Sequence, residues 1–143
     1  MKATSFASCL ILWALPGMAE VTVTQPWARA TILISRPGVA YMTLQSASDD
    51  RLIGLDTPAA QAVMIHGVET KDGVSHMTDM MALDLPAGQV VTLAPSATHL
   101  MLMGLTSKLT EGGSFALTLH FEHAGALTVT VPVLGIAAMG PGA

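Results

Sequence analysis

The amino-acid sequence predicts a single all-β domain, built either as two packed sheets or as a closed Greek-key barrel. Three observations lead to this prediction. Short segments in which apolar and polar residues alternate with a period of two recur along the chain. Turn signals rich in Gly, Pro, Asp and Ser separate these segments at intervals of about 8–12 residues, as is typical of sandwiches and barrels. The sequence contains no long run with the 3.6-residue period of an amphipathic helix.

The predicted strands follow one another along the chain, each bounded by turn chemistry. An alternating segment over 21–25 opens the domain, and the signals "SRPG" and "SASDD" flank a segment over 38–45. The sequence "KDG", with Gly73 at the left-handed position, predicts a hairpin between 62–70 and 74–80. The other predicted strands are 51–57, 89–93 (preceded by "ALDLPAG"), 98–105, 114–121 and 126–133.

The start of the chain has the pattern of a secretory signal peptide. Lys2 gives a positive start, an apolar run follows, and Pro16 precedes the small residue Ala19. We therefore expect a signal peptide over 1–19, an exported domain over 20–137 and a short flexible tail over 138–143. The expected location is the periplasm, with no membrane span after cleavage. A lipoprotein anchor at Cys9 is disfavoured because the apolar run continues past that residue.

Composition excludes several classes of function. Cys9 is the only cysteine, so the exported domain has no thiolate for a blue-copper site, a disulfide or a cysteine nucleophile. Charged residues make up 11% of the chain, with a net charge of −4, and no basic stripe suits nucleic acid. The acidic side chains are scattered and form no catalytic pair, so we expect no enzyme activity.

The segment "THLMLMGL" is the candidate functional strand. Successive side chains of a strand point to opposite faces, so Leu100 and Leu102 share one face while His99, Met101 and Met103 share the other. If the leucines lie in the core, the His/Met face points outward. Methionines that merely fill a core would be expected on the buried face. We therefore expect an outward pair of candidate metal ligands, His99 and Met101.

The "KDG" hairpin provides a second pair. A four-residue loop over 70–73 would place His66 opposite Met77, with Cβ atoms ~5 Å apart, on the face away from Val63 and Ile65. Imidazole and thioether are neutral donors, and thioether favours Cu(I) over Zn²⁺, Mg²⁺ or Ca²⁺. The two pairs together are therefore a candidate soft-metal site. The simpler alternative is that the four side chains are unrelated.

The spacing His66-x10-Met77-x21-His99-x-Met101 resembles the signature of the periplasmic PCuAC copper chaperones. The resemblance extends to "PWARAT", "AYMTL", "KDGVSHM" and "HLMLMGL" and covers nearly all of 20–133. It implies a single-domain, cupredoxin-like Greek-key β-barrel or sandwich. It further implies one Cu(I), held by those two histidines and two methionines and passed to an acceptor by ligand exchange.

The resemblance also implies partners. The family is associated with loading the CuA centre of cytochrome c oxidase, often alongside Sco-type proteins, so we expect a monomeric carrier with an acceptor of that kind. Two features of this chain depart from many members. Where they have "HEM" this chain has "HGV", and where they have a His/Met-rich tail it ends in "GPGA".

Two other functions stay open at this point. A general periplasmic copper-binding or resistance protein needs the same site, whereas a non-metal β-sandwich interaction module needs only the fold and leaves the His/Met faces unexplained. Among the remaining candidates, Met64 shares the face of His66 as a backup ligand or a packing residue. Met103 either shields the metal or packs under a loop, and His120 and His123 are assigned no role.

Overall fold

The computed structural model describes residues 20–141, so the signal peptide expected over 1–19 lies outside the described residues. Within this range the chain forms ten strands, and no helix is long and apolar enough to cross a membrane. The strands are β1 (Val21–Arg29), β2 (Gly38–Ser46), β3 (Asp50–Asp56), β4 (Ala60–Lys71), β5 (Val74–Met80), β6 (Leu83–Leu85), β7 (Val90–Leu93), β8 (His99–Leu105), β9 (Ser114–Phe121) and β10 (Gly125–Leu134).

The strands follow one hydrogen-bonded order, β5-β4-β8-β2-β1-β10-β9-β3-β6, with β7 beside β2. A parallel pairing of β1 with β10, through Ala28–Val133 and Arg29–Leu134, joins two antiparallel halves. β5 and β6 lie at the two ends of this order, so the sheet is open over the described residues and its halves pack against each other. The all-β prediction is confirmed. Of the two architectures that the sequence pattern left open, a sandwich of packed sheets and a closed barrel, the structure has the sandwich.

One apolar core fills the space between the halves. It receives every second side chain of the central strands, because alternate residues of a strand share a face. The largest fully buried apolar side chains are Met42, Leu44, Leu52, Leu85, Leu100, Leu102, Leu117, Leu119 and Val131. The opposite face of β4 and β8 is therefore free to carry polar and sulphur-containing side chains without disturbing this core.

β1 is longer than predicted because a bulge lets it continue past Pro26. Gln25 takes a positive φ of 50° and the register shifts between Thr24 and Trp27, which is how a strand accommodates a proline that cannot donate a hydrogen bond. After the bulge Trp27 lies opposite Tyr41, on the face away from the core, with ring centroids 4.5 Å apart. Both aromatic rings are buried there.

Arg29 connects this aromatic pair to the end of the chain. Its guanidinium carbon lies 5.6 Å from the Tyr41 ring centroid, and its Nε donates a hydrogen bond to the carbonyl of Ala138 at 2.8 Å. Burial raises the pKa of the Tyr41 hydroxyl above its ordinary value, and the nearby Arg29 charge opposes that shift. The tail boundary at 138 stays a prediction.

Asp50 fixes the turn between β9 and β10. Its buried carboxylate accepts hydrogen bonds from the backbone N–H groups of Arg51, His123 and Ala124, at 2.7, 2.9 and 3.0 Å. Burial alone would raise the pKa of this carboxyl, but the three donors outweigh it and hold the pKa below its ordinary value. Asp50 therefore stabilises the fold in its ionised form.

This arrangement predicts an acid-sensitive contribution to stability. Because the folded-state pKa is depressed, the contribution is fully present above the unfolded-state pKa of about 3.9 and is lost as the pH falls through the folded-state pKa. Asp50→Asn should lower the free energy of unfolding at pH 6, and the two proteins should converge as the pH falls below the folded-state pKa. Asp50→Ala, which leaves three donors unpaired, should cost about 1–3 kcal/mol at pH 6. Denaturant titrations across this pH range test this prediction. A difference in the free energy of unfolding between wild type and Asp50→Asn that stays constant with pH would contradict it.

Candidate metal centre

β4 and β8 bring the two histidines together. In their antiparallel register His66 lies directly opposite His99, and Ile65 lies opposite Leu100. Ile65 and Leu100 are buried in the core, so both histidines belong to the opposite face. Their ring centroids are 5.7 Å apart with an interplanar angle of 65°. The sequence predicted both histidines for one site, and the structure places them side by side.

His99 is on the predicted face but is not exposed. Only 6% of the residue is accessible, which corrects the expectation of an outward, solvent-facing side chain. Its Nδ1 lies 2.8 Å from the carbonyl oxygen of Ala97. Because a carbonyl can only accept, Nδ1 carries the proton, and the lone pair of the neutral ring is on Nε2. This is the arrangement in which a backbone carbonyl fixes the tautomer and orientation of a metal-binding imidazole.

His66 has two buried ring nitrogens without a hydrogen-bond partner among the described residues. The Oδ1 of Asp79 lies 2.9 Å from Nε2, yet it is too poorly aligned to count as a hydrogen-bond partner. A hydrogen bond weakens steeply as its angle closes, so Asp79 acts on His66 as a nearby negative charge. A buried nitrogen without a partner is costly unless another group binds it, and a cation suits this position.

The predicted pairing of His66 with Met77 is wrong. The hairpin turn contains two residues, Asp72 and Gly73, with φ values of 53° and 77°, as a type I′ turn requires. The shorter turn moves the register by two positions, so Met77 lies opposite Val68 and Asp79 lies opposite His66. Met77 still shares the face of His66 as a diagonal neighbour, and it is 68% exposed.

The observed register brings two further residues to the candidate site. Asp79, which the sequence reasoning did not consider, faces His66 directly, and Met64 lies directly opposite Met101. The signal that could have found Asp79 is the dipeptide Asp72-Gly73, since Asp-Gly strongly favours a two-residue turn. That turn sets Lys71 opposite Val74 and, counting outward, Asp79 opposite His66.

Nitrogen and oxygen donors do not complete a site by themselves. Over residues 20–141, no group of three or more His, Cys, Asp or Glu side chains is placed to hold a metal ion. The face around the two histidines instead carries thioethers, with Met101 and Met103 half-buried on β8 and Met64 half-buried on β4. A site built here is therefore a mixed imidazole–thioether site, which suits a soft monovalent ion such as Cu(I).

The remaining histidines lie elsewhere. His76 is exposed on β5 opposite Glu69, on the face away from His66. The Nε2 of His120 contacts Asp56 on the other half of the sandwich, and His123 is exposed at the turn after β9. Met103 lies opposite Ala62, one position further along the same face as Met101.

The chain is similar to known proteins in both sequence and structure. The model of the LpqE-like family, described as "Putative lipoprotein LpqE-like", matches residues 21–133. The putative lipoprotein Lxx21020 of Leifsonia xyli subsp. xyli is 35% identical over 83 residues. That match takes in 57% of this chain and only 50% of the relative, so the chain spans about half the length of that relative.

Solved structures with the same fold include PCuAC domains. The apo PCuAC domain of PmoF2 is 28% identical, with a TM-score of 0.71 over 84% of this chain and 94% of that domain. DR1885 of Deinococcus radiodurans, solved with Cu(I), is 31% identical, with a TM-score of 0.62 over 78% of each chain. These likenesses confirm the cupredoxin-like sandwich and the resemblance to PCuAC proteins that the sequence indicated. The chain belongs to the LpqE-like family, and its fold is that of the PCuAC domains.

Proposed function

We propose that this protein is a periplasmic copper chaperone that binds one Cu(I) between β4 and β8 and passes it to an acceptor protein. The ligands are His66, His99 and Met101, with Met77 as the fourth ligand that the family signature implies. The copper is cargo, and the proposed role needs no catalytic chemistry. Support comes from homology to the PCuAC domains, one of which was solved in a copper-bound form and another with Cu(I).

The observation that carries the proposal is the His66–His99 pair. The two rings lie 5.7 Å apart on one face. His99 has its tautomer fixed by Ala97, which leaves Nε2 as a donor, and His66 has two buried nitrogens with no hydrogen-bond partner. One cation between the rings would satisfy both residues. A simple packing role for the histidines would leave Nδ1 of His66 buried and without a partner, since the Asp79 carboxylate lies beside Nε2 only.

The charges of the site fit a monovalent ion. Imidazole and thioether are neutral, so a bound Cu(I) carries a net charge of +1. The carboxylate of Asp79, 2.9 Å from His66 Nε2, provides a partly exposed negative charge beside it. This balance favours holding the ion without the cost of burying a dication in a half-buried site.

Release by ligand exchange follows from the exposure of Met77. A ligand that is 68% accessible at the outer strand β5 can be replaced by a thiolate or imidazole of an incoming protein before the more sheltered histidines release the ion. The acceptor we propose is the CuA centre of cytochrome c oxidase, reached directly or through a Sco-type protein. Export through the segment over 1–19 would place the carrier in the periplasm with that acceptor.

The test uses the chain from residue 20 onward. Native mass spectrometry after addition of one equivalent of Cu(I) should show a single bound copper. Mixing the loaded protein with a soluble apo domain that carries a CuA site should move copper mass from the first protein to the second. A protein that stays copper-free under reducing conditions would contradict the chaperone role and favour the non-metal interaction module. Loading without transfer to any cysteine-containing acceptor would favour a copper store.

A further inference from the structure

The site face contains a sulphur atom that the family signature does not include. β4 and β8 place Met64 directly opposite Met101, one position along the face from the His66–His99 pair. The four side chains occupy a compact two-by-two block on two adjacent strands, and both methionines are half-buried. Opposed side chains in a sheet have Cβ atoms about 5 Å apart, so the side chains of the two methionines start within reach of each other and of the histidines.

The position of Met77 differs from that of Met64. Met77 is a diagonal neighbour of His66, but it lies on the far side of the histidine row from Met101. Met77 and Met101 are four residues apart along the strand direction, at about 3.3 Å per residue, and two strands apart, at about 4.8 Å per strand. Their backbones are therefore separated by about 16 Å. Met64 and Met101 are separated by a single strand spacing. The side chains of Met64 and Met101 can therefore reach one ion together much more readily than those of Met77 and Met101.

We propose that Met64 is a thioether ligand for the copper, so that Met64, His66, His99 and Met101 form the sheltered set of ligands that retains the ion. This inference rests on the proposed copper-binding function. Met77 then acts as the outer sulphur at the exposed edge, where copper exchanges with an acceptor. An additional thioether on the β4 side strengthens the preference of the site for Cu(I) over Zn²⁺, since thioether is a soft donor.

The arrangement also fits the local sequence. Position 68, two residues after His66 on the same face, holds a valine that cannot bind metal. Position 64, two residues before His66, holds a methionine, and its opposite neighbour on β8 is Met101. Met64 thus lies on the same side of the histidine pair as the half-buried Met101.

Replacement of Met64 by leucine tests the proposal. Leucine keeps the volume and the apolar character, so the fold should tolerate it. X-ray absorption of the Cu(I)-loaded Met64→Leu protein should show one sulphur neighbour fewer than wild type. Competition with a chromophoric Cu(I) chelator should show affinity about 10- to 100-fold lower, since even groups outside the ligand shell commonly change metal affinity that much. Met103→Leu is the matched control, because Met103 shares the face but lies opposite Ala62, beyond the block.

The outcomes separate this inference from the function on which it rests. An unchanged sulphur count and affinity in Met64→Leu would overturn the role of Met64 and leave the chaperone proposal standing. A double variant, His66→Ala with His99→Ala, that still binds copper at wild-type affinity would overturn both. A Met103→Leu protein that loses as much affinity as Met64→Leu would also overturn the specific assignment, because it would show that any methionine of this face has the same effect.

Discussion

His99→Ala is expected to abolish tight Cu(I) binding. His99 is the more buried of the two histidines, its orientation is fixed by the Ala97 carbonyl, and its ring centroid lies 5.7 Å from that of His66. Removing the ring takes away one of the two nitrogen donors and its positioning contact together. We expect the affinity, measured by chelator competition, to fall at least about 100-fold, the upper part of the range seen for lesser changes around metal sites.

A matched control is available on the neighbouring strand. His76→Ala also removes an imidazole, but His76 is exposed and faces away from His66, so its copper affinity should equal that of wild type. Circular dichroism and a thermal melt establish that both variants are folded. Equal copper affinity in His99→Ala and His76→Ala would contradict the assignment of His99 as a copper ligand.

Leu102→Ala is expected to lower the stability of the fold and to leave copper binding intact, the reverse of His99→Ala. Leu102 lies on the same strand as His99 but on the core face, with no accessible surface, opposite Val63. Truncating a fully buried leucine to alanine typically costs about 2–5 kcal/mol. The free energy of unfolding from denaturant titration should fall by that amount, while the folded variant should still bind one copper with an affinity within a few-fold of wild type.

An exposed leucine provides the control for this second variant. Leu33, in the loop between β1 and β2, is about half accessible, and Leu33→Ala should change stability by no more than about 0.5 kcal/mol. A Leu102→Ala protein that is as stable as wild type would show that β8 does not present its leucine face to the core. In that case the assignment of His99 and Met101 to the other face would fail with it.

Much of the fold could be predicted from the sequence because its strands alternate cleanly. In β8 the pattern Leu100–Leu102 against His99–Met101 assigns the two faces without any knowledge of the partner strands, and the structure has the leucines fully buried. Strand ends were also close, as in β9, where the predicted and observed bounds agree. Turn residues mark these ends locally, so no long-range information was needed.

The arrangement of the site could be predicted only in part, because it depends on register between strands. The pairing of His66 with His99 joins strands that are far apart in sequence, and no local pattern fixes it. The pairing of Met77 with His66 was wrong because a four-residue loop was assumed where Asp72-Gly73 forms a two-residue turn. A register error of two positions keeps a residue on its face but changes its neighbour, and for this reason Asp79 was missed.

The burial of His99 could not be predicted from alternation. Alternation tells which face a side chain occupies, and it says nothing of what lies beside that face. In the structure the His66 ring and the turn at Ala97 adjoin His99. The face opposite the core is therefore a half-buried surface with a sheltered pair of histidines.

X-ray absorption of the wild-type protein loaded with one equivalent of Cu(I) tests the central claim most directly, because it counts the nitrogen and sulphur neighbours of the ion. We predict a mixed shell with two nitrogen neighbours, from His66 and His99, and at least two sulphur neighbours, from Met101 and a second methionine. A shell of nitrogen and oxygen alone, or of sulphur alone, would contradict the site described for β4 and β8.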